Sequence, residues 1–182
     1  DFYDCFTVGE GPRMEPEVAL SYVREGKDKV LDMMINFAHM EADCFITDFL
    51  QRPFDLIKLK KAFTKWQTKM YGKGWNALYM ENHDHPRVIS RYGSEKYRVE
   101  SGKSIAASYL FQRGTPFVYQ GQEIGMINTP LPSLDDYKDI MVKNNARIAR
   151  SLGLSKETVL KLAQKASRDN ARTCMQWSGA PN

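Results

Sequence analysis

The chain has 182 residues, 42% of them hydrophobic and 26% charged, which suits one ordinary domain with a buried core and argues against disorder. Its formal charge of +4 allows weak attraction to phosphates but does not call for a nucleic-acid partner. Three cysteines (Cys5, Cys44, Cys174) with no CxxC pair read as free thiols, and there is neither a long apolar stretch nor a basic-then-apolar leader, so the expectation is a cytoplasmic protein with no membrane partner.

The chain opens on "DFYDCFTVGEG", without an initiator Met and already strand-like, and is therefore expected to be a piece of something longer. The apolar run "CFTVGE" ends at Glu10, and "EVALSYVREG" after it predicts a helix that stops at Gly26. A second run, "VLDMMINFAHM", ends at His39. It precedes "FDLIKLKKAFTKWQTKMYG", where Leu56, Leu59, Phe63, Trp66 and Met70 recur at three- and four-residue spacing and predict a helix. Lys58, Lys61, Lys65 and Lys69 fall on its opposite face. Interleaved aromatics would suit a nucleic acid, but these aromatics face where a core wants them, so a solvated lysine face is expected.

The third run, "WNALYMEN", leads into "ENHDHPRVISRYG" and then a helix over "RVESGKSIAASYLFQRG", ending at Gly114. The fourth, "GTPFVYQGQEIGM", is followed by two helical stretches, "SLDDYKDIMVKNNARIARSLG" and "SKETVLKLAQKASRDN", the second starting at Ser155. Strand and helix alternate with short connections, and the runs are apolar throughout rather than alternating. Both features predict parallel strands buried on two faces by helices, an α/β architecture. Chemistry in such folds gathers at the carboxyl ends of the strands. Glu10, His39, "ENHD" and "QGQE" stand there.

Two histidines around one aspartate invite a metal reading, with His83, Asp84 and His85 joined by distant His39 and Asp135. The ligands of that type sit on helices, whereas Pro86 disfavours helix at His85, so no metal is expected. Glu10 alone, in "TVGEGP", suits a helix cap or a solvent-facing carboxylate; paired with Asp84 at the end of another strand, it admits a chemical role. Cleaving a glycosidic bond needs one carboxylic acid to protonate the leaving oxygen and one carboxylate to stabilise or trap the cationic ring. Arg87 and Arg91 are expected to orient these acids or to lower the pKa of Asp84.

Taken together, the segments resemble the α-amylase superfamily of retaining α-glucosidases, and most nearly its oligo-1,6-glucosidase group. "FTVGE" is similar to the motif at the end of barrel strand five, which implies that Glu10 is the general acid/base. "ENHDHPRVISRYG" resembles the motif after strand seven, implying that His83 and Asp84 hold the sugar in the first subsite, with Asp84 the transition-state stabiliser. "GTPFVYQGQEIGM" is similar to the strand-eight segment. "SRDNARTCMQW" resembles a later motif whose arginine, here Arg172, reaches the same sugar. His85 stands where the family usually has Gln or a similar residue, and Cys174 where it has Pro.

The resemblance implies the C-terminal half of a (β/α)8 TIM barrel: strands five to eight with their helices, plus a helical extension at about 129–170. It puts the family's nucleophilic aspartate on strand four, ahead of Asp1, so the chain alone would be catalytically incomplete. The implied substrate is an isomaltose-like oligosaccharide, and no cofactor is expected. Trehalose-6-phosphate hydrolase and α-1,4-glucosidase share these motifs, and a non-catalytic carbohydrate-binding subunit is the alternative from another class. The joint presence of Glu10, His83, Asp84 and Arg172 favours the enzyme. Open barrel edges at Thr7–Glu10 and Phe117–Gln120 are expected to drive self-association.

Overall fold

The computed structural model describes residues 5–26, 29–44 and 49–179. The first four residues of the strand-like opening lie outside them. The chain divides into two units, one of Asp1–Asp43, Pro53–Tyr79 and Ser108–Phe117, the other of Cys44–Arg52, Met80–Ala107 and Val118–Asn182.

The first unit carries the strands. β1 (Val8–Gly11) and β2 (Met33–Asn36) run parallel, with Glu10 opposite Ile35. Met34 bridges Asn76 in parallel, beside β3 (Ala77–Leu78), which pairs in parallel with β4 (Thr115–Pro116). The strands thus follow one another in chain order and in one direction, as the apolar runs predicted. They are shorter than those runs. The last one also lies earlier than Phe117–Gln120: the Phe117 N–H still reaches the Leu78 carbonyl at 2.7 Å, but the chain then leaves the ladder for turns over 120–125. At Gly114 the backbone has φ +154°, and a Cβ there would lie 2.5 Å from the Asn76 carbonyl oxygen, so only glycine lets the chain pass this close before β4.

Helix α1 (Pro16–Val23) begins with proline in its first turn and is followed by Gly26 at φ +134°. Helix α2 (Leu56–Met70) is capped by Asp55, whose carboxylate accepts the N–H groups of Ile57 and Lys58. The core between them and the sheet is Ala19, Leu20, Val23, Met34, Trp66 and Met70. Leu59, Trp66 and Met70 are buried at the predicted spacing, and the lysine stripe is exposed. Two of its members meet acids near the start of α1, Lys65 pairing with Glu15 and Lys69 with Glu17, so the C-terminal part of the stripe edges the contact between the two helices.

The second unit is helical. It contains the short α3 (Val88–Tyr92), which begins just past Pro86, most of α4 (Arg98–Leu110), and the pair α5 (Ile140–Ser151) and α6 (Lys156–Ala166). Tyr137, Val142, Ala146, Ala149, Val159, Ala163 and Ala166 close over one another between α5 and α6, with Phe49 against them. The first stretch of this pair does not become helix from Ser133 onward as the pattern suggested. A capping box between Ser133 and Asp136 closes one 3₁₀ turn, and α5 starts afresh where Asp139 caps the Met141 N–H. Ser155 caps α6 through the Thr158 N–H, as expected, but the helix stops at Ala166 and the chain enters a 3₁₀ turn over Arg168–Ala171. No helix among the described residues is long and apolar enough to cross a membrane.

Candidate functional site

The "ENHDHPR" segment is built as a loop clamped at both ends by one ion pair. Glu81 and Arg87 are six residues apart, and their side chains are 2% and 0% exposed. Arg87 Nη1 donates to Glu81 Oε2 at 3.0 Å and to the Gln120 carbonyl at 2.6 Å, while Nη2 lies 3.6 Å from Met126 Sδ. Its guanidinium sits 5.0 Å over the Tyr119 ring. Glu81 Oε1 accepts the Val88 N–H at 2.9 Å, so the acid also holds the first turn of α3. Burial pushes the Glu81 carboxyl above its ordinary value, against the pull of the Val88 N–H and Arg87. Within the loop, Asn82 Oδ1 accepts the Asp84 N–H at 2.9 Å, a local turn that carries Asp84 out of the clamp.

Asp84 is 25% exposed at its side chain, and two arginines from the turn after α6 converge on one of its oxygens. Arg168 Nη1 donates to Oδ1 at 2.6 Å and Arg172 Nη2 at 3.3 Å. On the other side of the carboxylate, His83 Nε2 lies 3.4 Å from Oδ2. Arg172 Nε donates to the His83 carbonyl at 2.7 Å, so the same arginine steadies both members of the His–Asp pair. Three of the four residues singled out from sequence, His83, Asp84 and Arg172, are therefore brought together.

Behind them stands a second acid. Asp139 receives Arg168 Nε at 2.7 Å and Nη2 at 3.1 Å, one nitrogen on each carboxylate oxygen. Burial pushes the Asp139 carboxyl up, but Arg168 and the Met141 N–H outweigh it and hold the group below the usual carboxylate range. Asp169 Oδ2 accepts the backbone N–H groups of Lys138 and Asp139 at 2.8 and 2.9 Å, fixing the start of α5 to the arginine turn. A pocket of about 490 Å³, partly open to solvent, lies here, with Asp84, Asp139, Asn145, Ser167 and Arg168 on its wall beside apolar Phe49.

Glu10 belongs to the first unit, exposed on β1 opposite Ile35. The arginines expected to orient Asp84 have other positions. Arg87 is the buried half of the loop clamp, and Arg91 Nη1 lies 3.2 Å from Nδ1 of buried His85. Burial against Glu81 and His85 commits both elsewhere, whereas Arg168 and Arg172 arrive at Asp84 from a distant turn. That pair was half-seen in sequence. "SRDNAR" carries arginines four apart, a spacing that puts both on one side of a helical turn, but only Arg172 was picked out. Asp139 gave no sign of its second role, since a residue of its type before a helix is a sufficient cap.

The residues of the metal reading are dispersed. His39 is buried in the first unit, stacked on Phe63 at 5.5 Å and edge-on to Tyr79 at 4.6 Å, while Asp135 is exposed in the Ser133 turn. Among the described residues no group of three or more His, Cys, Asp or Glu is arranged to hold a metal ion.

The family model described as "Alpha amylase, catalytic domain" matches residues 1–182. An oligo-1,6-glucosidase from Parageobacillus thermoglucosidasius is 43% identical over 99% of this chain and 32% of its own length. A trehalose-6-phosphate hydrolase from Bacillus subtilis (strain 168) is 38% identical over 99% of this chain and 32% of its own. The crystal structure of Bacillus licheniformis trehalose-6-phosphate hydrolase superposes with a TM-score of 0.90 at 39% identity, covering 98% of this chain and 33% of that one. The chain spans about a third of the length of these relatives.

Proposed function

The chain belongs to the alpha-amylase catalytic-domain family, and on that premise we propose that it is the second half of a (β/α)8 barrel in a retaining glycoside hydrolase acting on short oligosaccharides. The enzyme releases α-linked glucose, α-1,6 bonds foremost. The parallel strands β1 to β4, in chain order, are the barrel's strands five to eight, and α5 and α6 form the helical extension after the last of them. The observation that carries the reading is the Asp84 site. One carboxylate oxygen is held by two arginines and the other lies beside exposed His83.

In the proposed mechanism Glu10 protonates the leaving glycosidic oxygen and then removes a proton from the attacking water. Asp84 grips ring hydroxyls, and its negative charge stabilises the oxocarbenium-like transition state. His83 and Arg172 hold the same ring. A nucleophilic carboxylate traps the glucosyl cation, and the family motifs carried by this chain do not include it. The 182-residue chain alone should therefore show no turnover of an aryl α-glucoside or of isomaltose. Turnover by the pure chain that disappears in Glu10→Gln would overturn the half-barrel reading.

The likeness to trehalose-6-phosphate hydrolases, in sequence and in structure, favours a second reading, hydrolysis of that phosphorylated disaccharide. Comparing kcat/KM of the full-length protein on isomaltose, maltose and trehalose 6-phosphate separates them. The first reading expects isomaltose to lead, and a lead for trehalose 6-phosphate replaces it. The free cysteines support a reducing compartment, and we propose the cytoplasm.

Taken by itself, the chain should associate with a second copy. Among the described residues β1 and β4 end the run of paired strands, and the exposed Phe6 and Val8 lie at the β1 side. An unpaired strand edge beside apolar surface invites another chain, and burying such surface stabilises by about 25 cal/mol per Å². Light scattering of the 182-residue chain should report a dimer or larger, and a monomer that binds no hydrophobic dye would show the edges to be closed.

A further inference from the structure

Resting on the reading of Asp84 as the group that grips the sugar, we infer that Arg168 is a positioning residue. It locks Asp84 Oδ1 to the start of α5 and leaves Oδ2, on the His83 side, for the ligand.

All three guanidinium nitrogens of Arg168 contact carboxylates: Nε and Nη2 the two oxygens of Asp139, and Nη1 that of Asp84. Asp139 is a fixed anchor, 4% exposed at its side chain, with Oδ1 also receiving the Met141 N–H at 3.0 Å. The backbone that carries Arg168 is fixed as well. Asn170, fully buried in the same 3₁₀ turn, donates to the Ala163 and Gln164 carbonyls at 3.1 and 2.9 Å and accepts from the Tyr137 hydroxyl at 3.3 Å. A planar fork held at both ends transmits that rigidity to the third carboxylate bond, which a lysine's single point charge cannot do.

Arg172 differs. The two side chains are about equally exposed, 35% for Arg172 and 31% for Arg168, but Arg172 makes the longer contact to Asp84. Its Nη1 lies 3.9 Å from Asp169, and among the described residues it has no bidentate carboxylate anchor of the kind Asp139 gives Arg168. The two arginines divide the work: Arg168 holds the acid still, and Arg172 remains able to meet a ligand. A reacting or stabilising group displaced by about 1 Å costs roughly 100-fold in rate, so a freely turning Asp84 carboxylate should impair turnover while the sugar still binds.

The experiment uses the full-length protein with Arg168→Lys, Arg168→Ala and Asp84→Asn. Arg168→Lys keeps a cation beside Asp139 and should stay folded, yet lose roughly tenfold or more in kcat with KM changed much less. Arg168→Ala should lose roughly 100-fold, and free guanidinium ion should restore part of that loss while doing nothing for Asp84→Asn. A merely structural arginine would lower Tm without a kcat-specific loss and without rescue. Either Arg168→Lys at wild-type kcat or an unrescued Arg168→Ala would overturn the inference.

A readout independent of turnover is the thermal double-mutant cycle of Arg168→Ala with Asp84→Asn. Positioning predicts non-additive Tm shifts, and strict additivity overturns it. A wild-type protein inert toward every α-glucoside would instead defeat the functional reading, with the Arg168–Asp84 coupling still measured.

Discussion

Asp84→Asn in the full-length protein should lower kcat by about three orders of magnitude or more, the scale of losing a main catalytic group. The substitution preserves shape, and Oδ1 of the new amide can still accept from Arg168 and Arg172, so the loop should keep its course. What disappears is the negative charge. On the proposed mechanism, two cations then face a neutral group where positive charge develops on the sugar ring, and the site should oppose the transition state that the carboxylate favours. Glu10→Gln should cost as much on isomaltose, whose leaving sugar needs a proton, and less on an aryl α-glucoside whose leaving group departs unprotonated. Lys61→Ala, on the exposed face of α2, serves as the silent control. Steady-state kinetics on both substrates checks the set, and a near-wild-type Asp84→Asn enzyme would make Asp84 a structural acid.

The second large effect concerns stability. Arg87→Met should destabilise the fold by about 3–5 kcal/mol, because it leaves Glu81 buried without its cation. Glu81→Leu alone should be similarly severe, since it strands a guanidinium that is 0% exposed. The double replacement should recover much of the loss, because two apolar side chains need no counter-charge in that space. Urea unfolding of the four proteins gives the cycle. Equal and additive losses would mean that Arg87 acts through Tyr119 and Gln120 rather than through Glu81.

The elements most legible in sequence were those with one strong local cause. α2 follows from five apolar residues at helical spacing, and α6 from Ser155 at its start. The parallel strands followed from runs that were apolar throughout, although the ladders occupy only part of each run. Strand length depends on where neighbouring backbones diverge, and no single stretch encodes that. α3 was missed because five residues after a proline carry too little periodicity to register.

The site divides in the same way. His83, Asp84 and Arg172 were legible through motifs within one stretch each. Arg168 and Asp139 were not, since their importance lies in a three-way contact among segments about 30 and 80 residues apart in sequence. Arg87 and Arg91 were misassigned for the converse reason. Nearness in sequence suggested nearness to the carboxylate, but burial beside Glu81 and His85 claimed them first.

The dependence of Asp84 on a turn more than 80 residues downstream bears on how such enzymes can be recombined. A chimera that joins two relatives between Asp84 and Arg168 would take the acid from one parent and its cations from the other. If the lengths of α5 and α6 differ between parents, the arginine turn arrives displaced and the acid is left unheld, even when every motif is intact. Crossovers placed before Glu81 or after Arg172 keep the pairing within one parent, so a library built on those boundaries should retain far more active members than one cut at random.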